Sequence, residues 1–259
     1  MSANTLLASE FSTENLVVSK FQPNKDSGTG SVQVRYNYGE SDENGRLIVQ
    51  SARMRVPFGI NNNEKYAKDG DNLKWTMNMS FDGEEKNRKI QKFRKFLESF
   101  DGHFMKMGLE NAEEWINDDE ADEKSIKKSY KGALKKFKPK KDKPDVVYAD
   151  TFKVSIPWDY DKDEPRGNIE FYDENGNETS WTDVTPGCEV VALFGINGVW
   201  CSPGLSSYGP SIKLIQLQVF KPKKIKGFNI KYDKDSDDES SEDEKEEDEE
   251  DEIEEYESE

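Results

Sequence analysis

Lys74-Trp-Thr-Met-Asn-Met-Ser-Phe81 alternates with a period of two, and from Asp82 onward the period changes. Trp75, Met77, Met79 and Phe81 share one face, while Lys74, Thr76, Asn78 and Ser80 share the other. That pattern predicts a strand with one core face and one wet face. Next, Asp82-x-x-Glu85 resembles a capping box, and Ile90, Phe93, Leu97, Phe100 and Phe104 follow at helical spacing. Gly102 is a candidate interruption of this helix and Gly108 its candidate exit. Asn111-x-x-Glu114 predicts the cap of a short second helix carrying Trp115. A third is expected from about Asp122 to Phe137, with Ile126, Tyr130, Leu134 and Phe137 apolar and Lys127, Lys128, Lys131, Lys135 and Lys138 opposite.

Strands are expected on both sides of these helices. Upstream, residues 31–38 alternate, and Asn44-Gly45 predicts a tight hairpin turn into Leu47-Ile-Val. Met54-Arg-Val-Pro-Phe reads as a strand whose end or edge is marked by Pro57. Downstream, strands are expected at 151–156, 168–172, 189–194 and 211–220, with turns at Asn175-Gly176 and Asn197-Gly198. The fold class is therefore mainly β with a helical insertion. The specific expectation is an OB-fold-like five-stranded Greek-key barrel with extra strands and helices, the insertion at about 83–140 falling between the third and fourth strands.

Charge divides the chain. It has 54 acidic and 37 basic residues, a net of −17. Residues 233–259 hold 19 acids and two lysines, so they account for the whole excess. A neutral domain, 1–232, is expected to precede a disordered acidic tail, 233–259. Within the domain, residues 124–143 contain ten lysines and one acid, Asp142.

Many chemistries are disfavoured. His103 is the one histidine and sits in a helical stretch, which excludes the usual multi-histidine metal sites. No phosphate loop of the G-x-x-x-x-G-K-[ST] form occurs, and Gly28-Thr-Gly30 reads as a turn. Asp159, Asp161, Asp163 and Glu170 are spaced like calcium ligands, but Glu164 replaces the glycine that such a loop needs. An enzyme, a metal and a cofactor are not expected. Cys188 and Cys201 fit a reducing, intracellular compartment. The start, Met1-Ser-Ala-Asn-Thr, does not read as a secretion signal, and no apolar run approaches a membrane span.

Three features converge on nucleic acid: the lysine-rich segment, cations interleaved with aromatics on the strands, and a separate polyanion. Cationic grooves track phosphates, and aromatic rings stack on bases. The candidate residues are Tyr36, Tyr38, Arg53, Arg55, Lys74, Lys135, Lys136, Trp158, Arg166 and Lys213, with Tyr160 as a further aromatic. Trp75 and Trp200 are assigned to the core.

The order of several short strings carries a resemblance. They are Gln50-Ser-Ala-Arg-Met-Arg-Val-Pro-Phe-Gly59, the 75–81 strand, Gly195-Ile-Asn-Gly-Val-Trp200, Tyr208-Gly, and Lys213-Leu-Ile-Gln-Leu-Gln-Val219. Together they resemble the single-stranded-DNA-binding replication proteins of large algal and amoebal DNA viruses, which are similar to those of short-tailed coliphages. The resemblance spans roughly residues 10–220 and the acidic tail. It implies an OB-fold that coats and protects single strands in viral DNA replication, recombination and repair, at a host nuclear or cytoplasmic replication site. A homodimer is implied, as is a tail that competes with DNA and recruits a DNA polymerase or helicase. Coliphage tails end in an aromatic residue; here Tyr256, with Glu252 and Ile253, takes that part four residues from the end. A competing reading is a histone-chaperone-like β protein whose acidic tail binds basic partners.

Overall fold

The computed structural model describes residues 4–39, 45–68, 73–138 and 147–222. The acidic segment, including Glu252, Ile253 and Tyr256, lies outside the described residues, as do Asn44 and the lysines at 140, 141 and 143. In chain order the strands before the helices are β1 (Leu6–Leu7), β2 (Leu16–Val18), β3 (Gln22–Asn24), β4 (Thr29–Tyr36), β5 (Gly45–Gln50), β6 (Met54–Arg55), β7 (Ile60–Asn61) and β8 (Thr76–Ser80). The helices are α1 (Arg88–Glu110), α2 (Ala112–Ile116) and α3 (Glu123–Ser129). After them come β9 (Leu134–Lys135), β10 (Thr151–Ser155), β11 (Trp158–Asp159), β12 (Glu164–Pro165), β13 (Glu170–Tyr172), β14 (Glu189–Ser202) and β15 (Ser207–Phe220).

Five strands close a ring: β6 pairs with β8, β8 with β10, β10 with β15, β15 with β14, and β14 with β6. Taken in chain order, the fourth and fifth members are exchanged around the ring. This is the Greek-key arrangement of an OB-fold-like barrel. β4 and β5 extend the wall by pairing with the far half of β14. The helices fall between the second and third ring strands, not between the third and fourth as expected. The strands at 31–38 and 47–51, which inflated that count, belong to the extension.

Alternation fills the barrel. Met77 and Met79 of β8, Phe152 and Val154 of β10, and Val190, Ala192, Phe194 and Ile196 of β14 all point inward and are buried. α1 packs Ile90, Phe93, Leu97, Phe100 and Phe104 against them, Phe93 meeting Phe152 edge-on at 5.2 Å. Each such side chain contributes about 1.5–3 kcal/mol by leaving water. The other face of β8 is drier than expected. Thr76 and Ser80 are buried too, because β6, β7 and β10 flank this strand.

Several local expectations shift. α1 starts later than the 82–85 box, because Gly83 turns the chain at φ 76° and Glu84–Lys86 form a 3-10 turn. Asn87 caps the helix instead, accepting from Lys89 N and Ile90 N. α1 runs through both Gly102 and Gly108; the latter lies under Tyr208, where a Cβ would collide with the phenol. The Asn111 side chain donates back to Met107 O at 2.7 Å and so closes α1 rather than opening α2. The β4–β5 hairpin forms, but Tyr36 pairs with Gly45, so residues 37–44 connect the strands in place of a two-residue turn.

The largest departure is α3. It ends at Ser129, and residues 130–137 leave the helix although their spacing is helical. Tyr130 hydroxyl and the backbone N–H groups of Ala133 and Leu134 all donate to the buried Asp101 carboxylate of α1, at 2.8, 3.0 and 3.2 Å. Those bonds draw the segment onto the barrel as β9. Tertiary hydrogen bonding outweighs a local preference worth only tenths of a kcal/mol per residue.

Candidate nucleic-acid interface

The strand registers lay out one row across the outside of the barrel. Ser155 of β10 neighbours Lys213 of β15, Lys213 faces Gly195 of β14, and Gly195 faces Ile48 of β5. A Cβ on Gly195 would lie 2.8 Å from Arg46 Nη2, so this glycine gives the Arg46 guanidinium room to lie across the strand. Arg46 Nε donates to Asn197 Oδ1 at 2.8 Å, and Arg35 of β4 stands opposite Arg46. Lys153 is the next outward residue on β10.

At the start of β10 the row is continued by the segment after α3. Lys135 faces Thr151. Lys131 N donates to Tyr208 O at 2.8 Å, and its carbonyl crosses Gly209 so closely that a Cβ there would come within 2.5 Å. Lys135 is exposed yet crowded. Desolvation first, then the charges of Lys153 and Lys131, push its pKa below the ordinary lysine value. Lys131, Lys135, Lys153, Lys213, Arg46 and Arg35 therefore share one surface, and no outward position of the row between them is acidic. Like charges on facing strand positions cost stability. An arrangement of this kind suits a polyanionic ligand.

Trp200 completes the surface. It faces Gly209 on one side and Ser31 on the other and is 38% exposed, which overturns its assignment to the core. The cause is a bulge. β14 does not turn at Asn197-Gly198 but runs on, with the pairing stepping from Ile196↔Ile212 to Gly198↔Ser211. The extra residue, Asn197, reverses the alternation, so Val199 and Cys201 enter the core and Trp200 faces out. The Asn-Gly pair was the available signal, since it marks bulges as well as turns.

Other candidates fall elsewhere. Tyr36 is 1% exposed, on the same inward face as Val32 and Val34, and its hydroxyl accepts from Ser12 N at 3.0 Å. It is a core residue and offers no ring face to a base. Trp158 is 4% exposed; it stacks on Trp75 at 3.8 Å and donates Nε1–H to Asp163 at 3.2 Å. That indole too is withdrawn from solvent. Tyr38 is half-buried, its hydroxyl donating to Arg46 O at 2.8 Å. Arg53 pairs with Glu189 at 2.7 Å and covers the Phe220 ring; Arg55 lies 3.7 Å from Asp82; Arg166 Nε donates to Trp158 O at 3.3 Å. Lys74 and Lys136 are exposed, Lys74 at the entrance to β8 and Lys136 just past β9, where its charge acts on Asp150. Tyr160 is exposed in the β11–β12 hairpin, its hydroxyl bonded to Leu73 O.

Acidic side chains spaced like calcium ligands are engaged within the fold. Asp163 accepts from Trp158, Asp159 accepts from Asp161 N at 3.2 Å, and Glu170 accepts from Gln216 Nε2 at 2.7 Å. Among the described residues no cluster of three or more His, Cys, Asp and Glu stands ready for a metal ion. No helix among them is long and apolar enough to cross a membrane.

The chain matches no family model and no curated protein. Two solved structures are similar in part. One is gp2.5, a single-stranded DNA binding protein encoded by bacteriophage T7: 13% identity, 71% of this chain, 91% of that one, TM-score 0.37. Another is the single-stranded DNA-binding protein from bacteriophage Enc34 in complex with single-stranded DNA: 14% identity, 81% of this chain, 99% of that one, TM-score 0.37. At that degree of likeness the functional reading rests on the surface itself.

Proposed function

We propose that the outer face carrying Trp200, Lys131, Lys135, Lys153, Lys213 and Arg46 binds single-stranded DNA. The observation that carries this reading is the row itself: neighbouring cations without an acid between them, beside an exposed indole. The cations neutralise phosphates, and Trp200 stacks on a base at about 1–3 kcal/mol. Lys74, Lys136 and Tyr38 flank this path. A duplex hides its base faces, so the indole favours single strands. In this reading the protein coats and protects single strands during viral DNA replication, recombination and repair.

The acidic segment 233–259 fits the same reading by charge. Its 19 acids weaken DNA binding at low salt, and Glu252, Ile253 and Tyr256 recruit a DNA polymerase or helicase. A homodimer belongs to the same proposal.

Tryptophan fluorescence tests it. The wild-type chain and K131A/K135A/K153A/K213A are titrated with oligo-dT and with duplex of equal length at two salt concentrations. Oligo-dT quenches the wild type, less so at high salt, and the quadruple variant loses binding. Equal binding by both proteins removes the row as the site. No quenching by oligo-dT removes single-stranded DNA as the ligand and turns the search to histones and other basic partners.

A further inference from the structure

We infer that Asp101 is a positioning residue for this interface: from inside the protein, it holds the Lys131–Lys135 segment on the DNA-facing surface. The inference rests on the single-stranded-DNA reading of the row.

Asp101 belongs to α1 and is 9% exposed. A buried carboxylate is costly unless it is hydrogen-bonded, and an apolar residue fills such a place at less expense. Its partners explain why a carboxylate stands here. Tyr130 hydroxyl, Ala133 N and Leu134 N donate to it, and all three come from the stretch that carries Lys131 and Lys135. Gly132 lies between those donors. A Cβ on it would sit 2.7 Å from Asp101 Oδ2, so the glycine is what lets the carboxylate come this close. The contact is a cradle built by one short segment around one anion.

The cradle also sets where the lysines go. Spacing alone continues α3 to Phe137, which puts Lys131 and Lys135 on a helix surface with Lys127 and Lys128. In the fold, the chain leaves the helix at Tyr130, passes over Gly209, and pairs Lys135 with Thr151. Both lysines thereby join Lys153, and Trp200 lies across Gly209 from Lys131. Burial raises the Asp101 pKa against the pull of its hydrogen bonds. Ionisation of Asp101 thus does not itself favour the folded state, and what its hydrogen bonds to Tyr130, Ala133 and Leu134 accomplish is placement of the segment.

The test uses D101N in the full chain. The asparagine carbonyl still accepts from Tyr130 and Ala133, but its amide turns a donor toward Leu134 N. Two readouts are taken: amide hydrogen exchange at Ala133 and Leu134, and the salt dependence of oligo-dT affinity. The expected result is faster exchange at both amides and roughly tenfold weaker binding. Losing two phosphate contacts, at about 0.7 each, lowers the salt slope by about 1.4. In a K131A/K135A background D101N has no further effect on binding. G132A and Y130F serve if D101N does not fold, with the same expected signs.

Unchanged exchange overturns the inference. So does faster exchange with wild-type affinity and slope, or an equal loss of binding in both backgrounds, which marks a purely structural residue. A wild type that does not bind oligo-dT fails the reading of the site and this inference with it. That result is distinct from a binding wild type with an unaltered D101N.

Discussion

Two sets of cations on the same barrel are held in opposite ways. Arg94 is flanked by Glu84 and Asp150 at 2.6 and 2.8 Å and lies over the Phe81 ring. Burial works against its charge, yet the bonds to Asp150 and Glu84 outweigh it and raise the pKa. Arg53 and Arg55 likewise have a carboxylate of this chain beside them. At Lys135 the balance runs the other way: desolvation, then the cations Lys153 and Lys131, push its pKa down against a smaller opposing pull from Asp101. The first set spends its charge on the fold. In the second, Lys131, Lys135, Lys153, Lys213 and Arg46 form no ion pair with a carboxylate among the described residues. The hydrogen bonds there, Lys131 Nζ to Lys128 O at 3.1 Å and Arg46 Nε to Asn197 Oδ1 at 2.8 Å, reach neutral oxygens and leave the charge unbalanced. Abundance of basic residues says little about binding until each is sorted by what faces it.

The strongest way to break this contrast is to remove the second set. K131A/K135A/K153A/K213A lowers the slope of log affinity against log salt by about 2.8, at about 0.7 per phosphate. Its melting temperature stays equal to or above the wild-type value, since the repulsion of Lys153 and Lys131 on Lys135 is relieved. A fall in melting temperature with an intact slope reverses the assignment.

Trp200→Ala comes next. Loss of one stacked base at about 1–3 kcal/mol weakens oligo-dT binding roughly 5- to 150-fold. The salt slope does not change, because no phosphate contact is lost. Tryptophan quenching falls as well, since Trp115 and Trp158 are buried and Trp75 and Trp181 are partly buried. Retained quenching moves the stacking role to the Trp75, Trp158 and Trp181 cluster.

Arg94→Met sharpens the other half. The site is mostly buried, and removing the partner of two carboxylates costs about 2 kcal/mol after allowing for its residual exposure. That corresponds to a drop of about 4–8 °C for a domain of this size. Single-strand affinity, measured well below the new midpoint, is unaltered. R53A/R55A moves less: each exposed pair is worth about 0–1 kcal/mol, and the salt slope stays at the wild-type value.

How far the two sets were legible in the sequence differs with the range of the cause. The core face of β8, the α1 core positions and the mainly-β class follow from local period, and the structure keeps them; the wet face expected on β8 it does not keep, since Thr76 and Ser80 are covered by neighbouring strands. Lys135 and Lys213 were legible as cations, and both lie in the row. Trp200 was not, because one extra residue, Asn197, reverses the alternation downstream, and the pairing that makes it a bulge is set by β15. Tyr36 was legible in principle, since it shares parity with Val32 and Val34. The route of Lys131 was hidden for a different reason. It depends on Asp101, which is distant in sequence and reads as an ordinary polar position of α1. Arg53 and Arg55 looked available because their carboxylates, Glu189 and Asp82, are supplied by other parts of the chain.

The smallest expected effect isolates a single member of the row. Lys135 has its pKa lowered by desolvation and by Lys153 and Lys131. As pH rises, it gives up its proton before a lysine at the ordinary value of about 10.4 does. A neutral Lys135 no longer offsets a phosphate, so wild-type affinity for oligo-dT declines on the alkaline side, and the salt slope falls by about 0.7. Bound DNA favours the charged form, so binding in that range takes up protons. Lys135→Arg stays charged throughout, because the guanidinium does not titrate there. It should match the wild type near neutral pH and retain its slope where the wild type loses part of its own. Salt titrations of both proteins at the two pH values decide the matter. If the two curves coincide at alkaline pH, Lys135 makes no phosphate contact, and the DNA path runs along Lys153, Lys213 and Arg46 alone.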